Sequence, residues 1–172
     1  MLLIKNAYLK TMAGPDLENG CVLIGDDGKI IAVRTEIDAP EGAEILDAEG
    51  RLVTPGCIDA HCHIYPEKIA SRAVGGTDAF YGSVSVGSGL VEDMLARADR
   101  AGIDRALVQS VATTPHQVGS INRFIAAEAA KHPERLIGFG TLHPASEDIV
   151  GDLENLLSLG LRGVKLHPDI QD

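Results

Sequence analysis

Two histidines separated by one residue follow an aspartate in the run Pro55-Gly56-Cys57-Ile58-Asp59-Ala60-His61-Cys62-His63-Ile64. Side chains alternate along an extended strand. A strand over Cys57 to Ile64 therefore puts Asp59, His61 and His63 on one face, and Ile58, Ala60, Cys62 and Ile64 on an apolar opposite face that can pack under helices. Imidazoles two residues apart stand about 6–7 Å from each other along a strand. Two such rings can lean onto one divalent cation, with N–metal bonds of roughly 2.0–2.1 Å. A carboxylate one step below them can hold a ring nitrogen and fix its orientation. The other reading of the same spacing is a pair of partly buried histidines satisfied by backbone carbonyls. The surroundings favour the metal: a β-rich segment precedes the motif and strand–helix repeats follow it.

Residues 1–56 carry short apolar runs joined by turns. Leu2 to Ala7 is one; Val22-Leu23-Ile24-Gly25 and Lys29-Ile30-Ile31-Ala32-Val33 flank Asp26-Asp27-Gly28. Glycine supplies the positive φ of a tight turn, so this pair reads as a hairpin. Glu44 to Asp47 and Arg51 to Val53 flank a second turn, Ala48-Glu49-Gly50.

Beyond Pro55 the pattern changes. After the histidine strand, the Gly- and Ser-rich stretch Gly75–Gly89 reads as a long loop. A helix then starts at a Ser88 cap, buries Val91, Met94, Leu95 and Ala98, and stops at Gly102. A second helix is predicted over about Val118 to Lys131, with Ile121, Phe124, Ile125 and Ala129 inward and His132-Pro133 at its end. A third begins at a Ser146 cap, buries Ile149, Val150, Leu153, Leu156 and Leu157, and closes at Gly160. Strands are predicted over Arg105–Val111, Arg135–Leu142 and Arg162–Leu166; their starts lie 30 and 27 residues apart, the length of one βα unit. Such units build a parallel sheet, either doubly wound or closed into a barrel.

Composition excludes several partners. The net charge is −10, from 15 basic and 25 acidic residues, which opposes nucleic acid or an anionic membrane as partner. No apolar run is long enough to span a bilayer, and the opening residues do not read as a signal peptide. Three unpatterned cysteines, Cys21, Cys57 and Cys62, fit a reducing cytoplasm.

The segment Leu52-Val53-Thr54-Pro55-Gly56-Cys57-Ile58-Asp59-Ala60-His61-Cys62-His63 resembles the first barrel strand of the amidohydrolase superfamily. Residues 1–56 resemble the β-sandwich segment of imidazolonepropionase- and dihydroorotase-like members. Residues 57–172 resemble the amidohydrolase-related group that includes aminocarboxymuconate-semialdehyde decarboxylase, through Asp59 to Pro66, Val111 to Gln117, Gly138 to Pro144 and Gly163 to Pro168.

The resemblance implies an α/β fold: the first half, about four βα units, of a TIM-type (β/α)8 barrel, after a small and incomplete β-sandwich segment. A full barrel takes about 250 residues, so the chain is expected to be C-terminally truncated. The strand-8 aspartate that serves such enzymes as general base is then absent, leaving the catalytic residues unknown. The resemblance assigns His61 and His63 as ligands of a divalent metal, zinc first, with manganese or iron as alternatives, and Asp59 as support. Lys165 matches the carboxylated lysine that bridges two metals in dihydroorotase-like relatives, or else it lines the barrel end and meets substrate. His116 and His167 are substrate-binding candidates, although a loop histidine before a proline, such as His167 or His143, is commonly structural. The implied activity is hydrolysis of a C–N or ester carbonyl in a small molecule. The alternatives are a metal-dependent decarboxylase or a non-catalytic fragment. Open strand edges predict self-association or pairing with a complementing half-barrel.

Overall fold

The computed structural model describes residues 1–171 and divides into two compact units, Met1–Pro55 and Gly56 onward. The first unit is one five-stranded mixed sheet. β1 (Leu2–Leu9) lies between β2 (Leu17–Ile24) and β4 (Glu44–Asp47), and β3 (Ile30–Arg34) flanks β2. The β2–β3 hairpin turns at Gly28, whose φ is +76°. Leu3, Cys21 and Leu23 are buried on one face, and Ala7, Leu9, Val22 and Ala48 form a separate buried cluster. The turn at Ala48-Glu49-Gly50 does not reverse the chain. β4 and β5 (Leu52–Val53) both run parallel to β1 along the same edge, so the turn is a jog, with Gly50 N–H bonded to Asn6 O at 2.7 Å.

The second unit alternates strands and helices. β6 (Ile58–His63), β7 (Arg105–Gln109) and β8 (Leu136–Gly138) form a parallel sheet in that order; β9 (Gly140–Thr141) pairs in parallel with β10 (Val164–Lys165). The apolar run over Arg135–Leu142 is thus two short strands with different partners, broken at Phe139. The chain changes partner there, Phe139 N–H donating to the Val108 carbonyl and Gly140 N–H to the Gly163 carbonyl, and the packing is close. A Cβ on Gly140 would meet Leu156 at 2.3 Å, and one on Gly163 would meet the Phe139 ring at 2.5 Å.

Among the described residues the α-helices are α1 (Glu67–Tyr81), α2 (Val91–Ala101), α3 (Val118–Lys131), which packs on β7, β8 and β9, and α4 (Ile149–Ser158). α1 corrects the long-loop reading of Gly75–Gly89. The helix runs through Gly75-Gly76 and ends only at Gly82, in the left-handed conformation. Backbone hydrogen bonds override the weak propensity of two glycines. The remaining loop is tied down by Asp78, which accepts from Ser85 N–H and hydroxyl, and by Asp93, which accepts from Ser88 N–H at 2.8 Å.

α2 is anchored by Val91 and Ala98, α3 by Val118, Asn122 and Ile125. Leu90 occupies the N-cap position of α2 without a side-chain cap; Ser88, just before it, accepts from Leu90 N–H through its hydroxyl. At α4 the N-cap is Asp148, whose carboxylate accepts from Gly151 N–H at 2.9 Å. Ser146 does not cap; its hydroxyl is buried without a partner. Of the five apolar residues predicted to face inward on α4, only Leu156 is buried. The shared core holds Ile64, Val91, Ala106, Val108, Ile125, Leu136, Leu156 and Leu161. Among the described residues no helix is long and apolar enough to cross a membrane.

Candidate metal centre

β6 presents His61 and His63 at its C-terminal end. The strand carries a bulge: Asp59 pairs with Ala106 and Cys62 with Val108, so three steps on β6 answer two on β7. The extra residue breaks the alternation expected of a regular strand. Asp59 consequently turns toward the Cys62 thiol, and its Oδ1 accepts from the His61 backbone N–H at 3.1 Å. It does not support an imidazole nitrogen, as the regular-strand reading had it. Burial, with the Asp59 carboxylate beside it, pushes the Cys62 thiol up to about 12.

The two rings lean together. Their Nε2 atoms are 3.1 Å apart and their centroids 5.1 Å, with planes tilted by 48°. Tyr65 lies nearly parallel to the His63 ring, 6.4 Å between centroids and 12° between planes. Burial pushes the His63 pKa down to about 4; His61, Lys165 and His167 add to the effect, while the Gln109 backbone opposes it. His63 is therefore neutral at pH 7, the form that binds a metal. Its Nδ1 is buried and meets no hydrogen-bond partner of normal geometry.

Lys165 and His167 come to this site from the end of β10, close enough to disfavour a charge on His63. The Lys165 carbonyl accepts from Thr141 Oγ1 at 3.1 Å. Thr141 is held in turn by Asn122, which receives its N–H at 2.7 Å and donates to its carbonyl at 3.1 Å. His167 Nε2 meets the Tyr81 hydroxyl at 2.5 Å, Phe80 lies edge-on to the His167 ring, and His167 Nδ1 is buried without a partner. Gln171 accepts from His167 N–H at 2.7 Å and donates to the carbonyls of Ala112 and Leu142.

His116 stands apart, in the 3-10 turn Pro115–Gln117, with Thr114 Oγ1 at 3.5 Å from its Nε2. His143 is buried and accepts from Ala145 N–H at 3.1 Å, a structural role. Tyr81, Asn122 and Gln171 carry no sequence signal that would have singled them out. Each is a polar residue with at least one partner far along the chain.

The separation of the histidine pair is that of an N–H···N hydrogen bond, and it also matches two ligands of one divalent ion. At N–metal lengths of roughly 2.0–2.1 Å, neighbouring ligand atoms lie about 2.9 Å apart in an octahedral shell and about 3.3 Å in a tetrahedral one. The observed 3.1 Å falls between. Among the described residues no third His, Cys, Asp or Glu joins the pair.

Residues 58–172 match the amidohydrolase family. An imidazolonepropionase of Sphingopyxis alaskensis is 41% identical over 105 residues, covering 55% of this chain and 25% of the relative. A deacetylase of Agrobacterium fabrum is 32% identical over 151 residues, covering 88% of this chain and 28% of the relative. The chain thus spans about a quarter of the length of these curated relatives. Among solved structures, a D-hydantoinase of Thermus sp. superposes with a TM-score of 0.52 at 18% identity, over 92% of this chain and 31% of that one. This likeness concerns the fold.

Proposed function

The chain belongs to the amidohydrolase family, and on that premise we propose that it carries the first metal-binding strand of a metal-dependent hydrolase acting on a C–N or ester carbonyl of a small molecule. The observation that carries the proposal is the convergence of His61 and His63 Nε2 to 3.1 Å on a strand where burial keeps His63 neutral. His61 and His63 would hold a divalent ion, zinc in the first instance and manganese or iron otherwise, with Lys165 as a further ligand. When bound, the ion supplies Lewis acidity, polarising a carbonyl and acidifying water.

The protein's own residues do the rest. Tyr65 lies beside His63 with its ring nearly parallel. The Asn122–Thr141 pair fixes the backbone at Lys165. The Tyr81 hydroxyl holds His167 through its Nε2, and His167 is our candidate for meeting substrate.

In the same reading, β6, β7, β8–β9 and β10 are the first four strands of a (β/α)8 barrel, with residues 1–56 as a β-sandwich segment. Three free cysteines and the charge of −10 favour a cytoplasmic setting. Among the described residues β6 pairs only with β7, and β10 only with β9. Those edges would recruit a second copy or a complementing half-barrel; a concentration-independent monomer in light scattering would exclude this.

The test is metal content by elemental analysis of the wild type beside a His61→Ala/His63→Ala double variant. Near-stoichiometric zinc, manganese or iron in the wild type, lost in the variant, is the expected result. Equal metal content in both would overturn the assignment of the pair. With metal established, release of product from amide, ester and lactone substrates, measured beside CO2 release, identifies the reaction.

A further inference from the structure

The histidine pair sits where the parallel strands finish. A different concavity, of about 330 Å³, opens where they start. It is lined by the first residues of β7 and β8, by α3, and by the turn that leads from α4 into β10. Small-molecule sites occupy roughly 300–1,000 Å³, so it is large enough for a small ligand only.

Its walls are aliphatic, with Ala126, Ala129 and Ala130 on one side and Leu159 and Leu161 on the other. Two guanidinium groups, Arg105 and Arg162, are the charged side chains among its described lining residues, and no carboxylate is there to pair with them. In a chain of net charge −10, two cations without an acid stand out.

Arg105 is incompletely satisfied. A terminal nitrogen donates to the Pro133 carbonyl at 3.3 Å, but its Nε is buried and meets no acceptor. Nearby Arg135 shows the satisfied alternative, donating to Asp99 at 2.6 Å and to the Asp104 carbonyl at 2.8 Å. The Arg105 Nε is closed to solvent, so a ligand in the concavity would meet the terminal nitrogens of Arg105 and not Nε. A carboxylate matches the guanidinium fork in shape and charge, and an aliphatic body would cover the alanine and leucine walls.

We propose that this concavity is a binding site for a small organic carboxylate with a short apolar body, its carboxylate on Arg105 and Arg162. The proposal does not depend on the hydrolase reading, because it uses neither the histidine pair nor a metal.

The probe is hexanoate, with hexanamide as the neutral isostere and inorganic phosphate as the anion without an apolar body. Binding is read from backbone amide shifts at 105, 138 and 160–162 and from the unfolding midpoint. Hexanoate is expected to shift these amides with a Kd of about 1 mM or tighter, hexanamide and phosphate at least about tenfold more weakly. Arg162→Gln should weaken hexanoate about tenfold, and Ala130→Leu, at an exposed helix position, should abolish binding by filling the space. Equal binding of hexanoate and hexanamide, no amide shift at about 10 mM, or full binding by Ala130→Leu would each overturn the proposal. The comparison of ligands uses the wild type, so it stands even if a variant unfolds.

Discussion

Replacing Asn122 by alanine tests how the strand ends beneath the site are held. Asn122 is 1% exposed and Thr141 is fully buried. The carboxamide forms two bonds with one residue's backbone, accepting its N–H at 2.7 Å and donating to its carbonyl at 3.1 Å. Alanine removes both at once and leaves an N–H and a C=O without water. At about 1–3 kcal/mol for each stranded group the loss comes to about 2–6 kcal/mol, a large share of the roughly 5–15 kcal/mol that holds a typical domain. Equilibrium urea unfolding measures it as a fall in midpoint at unchanged slope. Asn122→Asp sharpens the test. An ionised carboxylate would set an oxygen against the Thr141 carbonyl, so the folded state favours the protonated acid and raises its pKa. The variant's stability relative to wild type is then fully present below the unfolded carboxylate range and is lost as pH rises through the raised value. An Asn122→Ala loss under about 1 kcal/mol, or an Asp variant insensitive to pH, would refute this account of the network.

Other perturbations test other contacts. Asp148→Ala should cost about 1 kcal/mol, typical of a lost N-cap, while Ser146→Ala should be neutral or stabilising because its buried hydroxyl is unpartnered; thermal unfolding of the two variants ranks them. The Ser85 hydroxyl and N–H, with the Ser83 hydroxyl, hold the Asp78 carboxyl below its usual range. The order it gives the 82–85 turn is therefore present above the unfolded carboxylate pKa and lost as pH falls through the depressed value, read as faster amide exchange at Ser85; exchange that is flat with pH after correction for intrinsic rates would contradict it. Exposed Cys57 should react with iodoacetamide well before Cys62, whose raised thiol stays protonated at pH 8; peptide mass spectrometry reporting the reverse order would place Cys62 elsewhere.

Much of the fold could be read from periodicity, because local patterns record local structure. The hairpin at Gly28, α3 from Val118 to Lys131 and the glycine stop at Gly102 all rest on residues close in sequence. α1 escaped because Gly75-Gly76 lies within a helix that its own backbone hydrogen bonds carry through two poor helix formers. The family motif at His61 and His63 was visible, but the bulge that redirects Asp59 was not. It depends on the register against β7, where the partners of Asp59 and Cys62 are Ala106 and Val108. The Tyr81–His167 contact joins residues 86 apart, and no pattern in either neighbourhood announces it.

The break at Phe139 bears on how this region opens. Leu136–Gly138 is fastened to β7, whereas Gly140–Thr141 is fastened to β10 and to the side chain of Asn122. Six consecutive residues therefore belong to two separable fastenings. If β10 peels away, the amide of Gly140, bonded to the Gly163 carbonyl, is exposed to solvent deuterium, while that of Thr141 stays on Asn122 and those of Leu136 to Gly138 stay protected. One short peptide would then exchange in two phases, and the faster phase would report the loosening of the segment that carries Lys165 and His167.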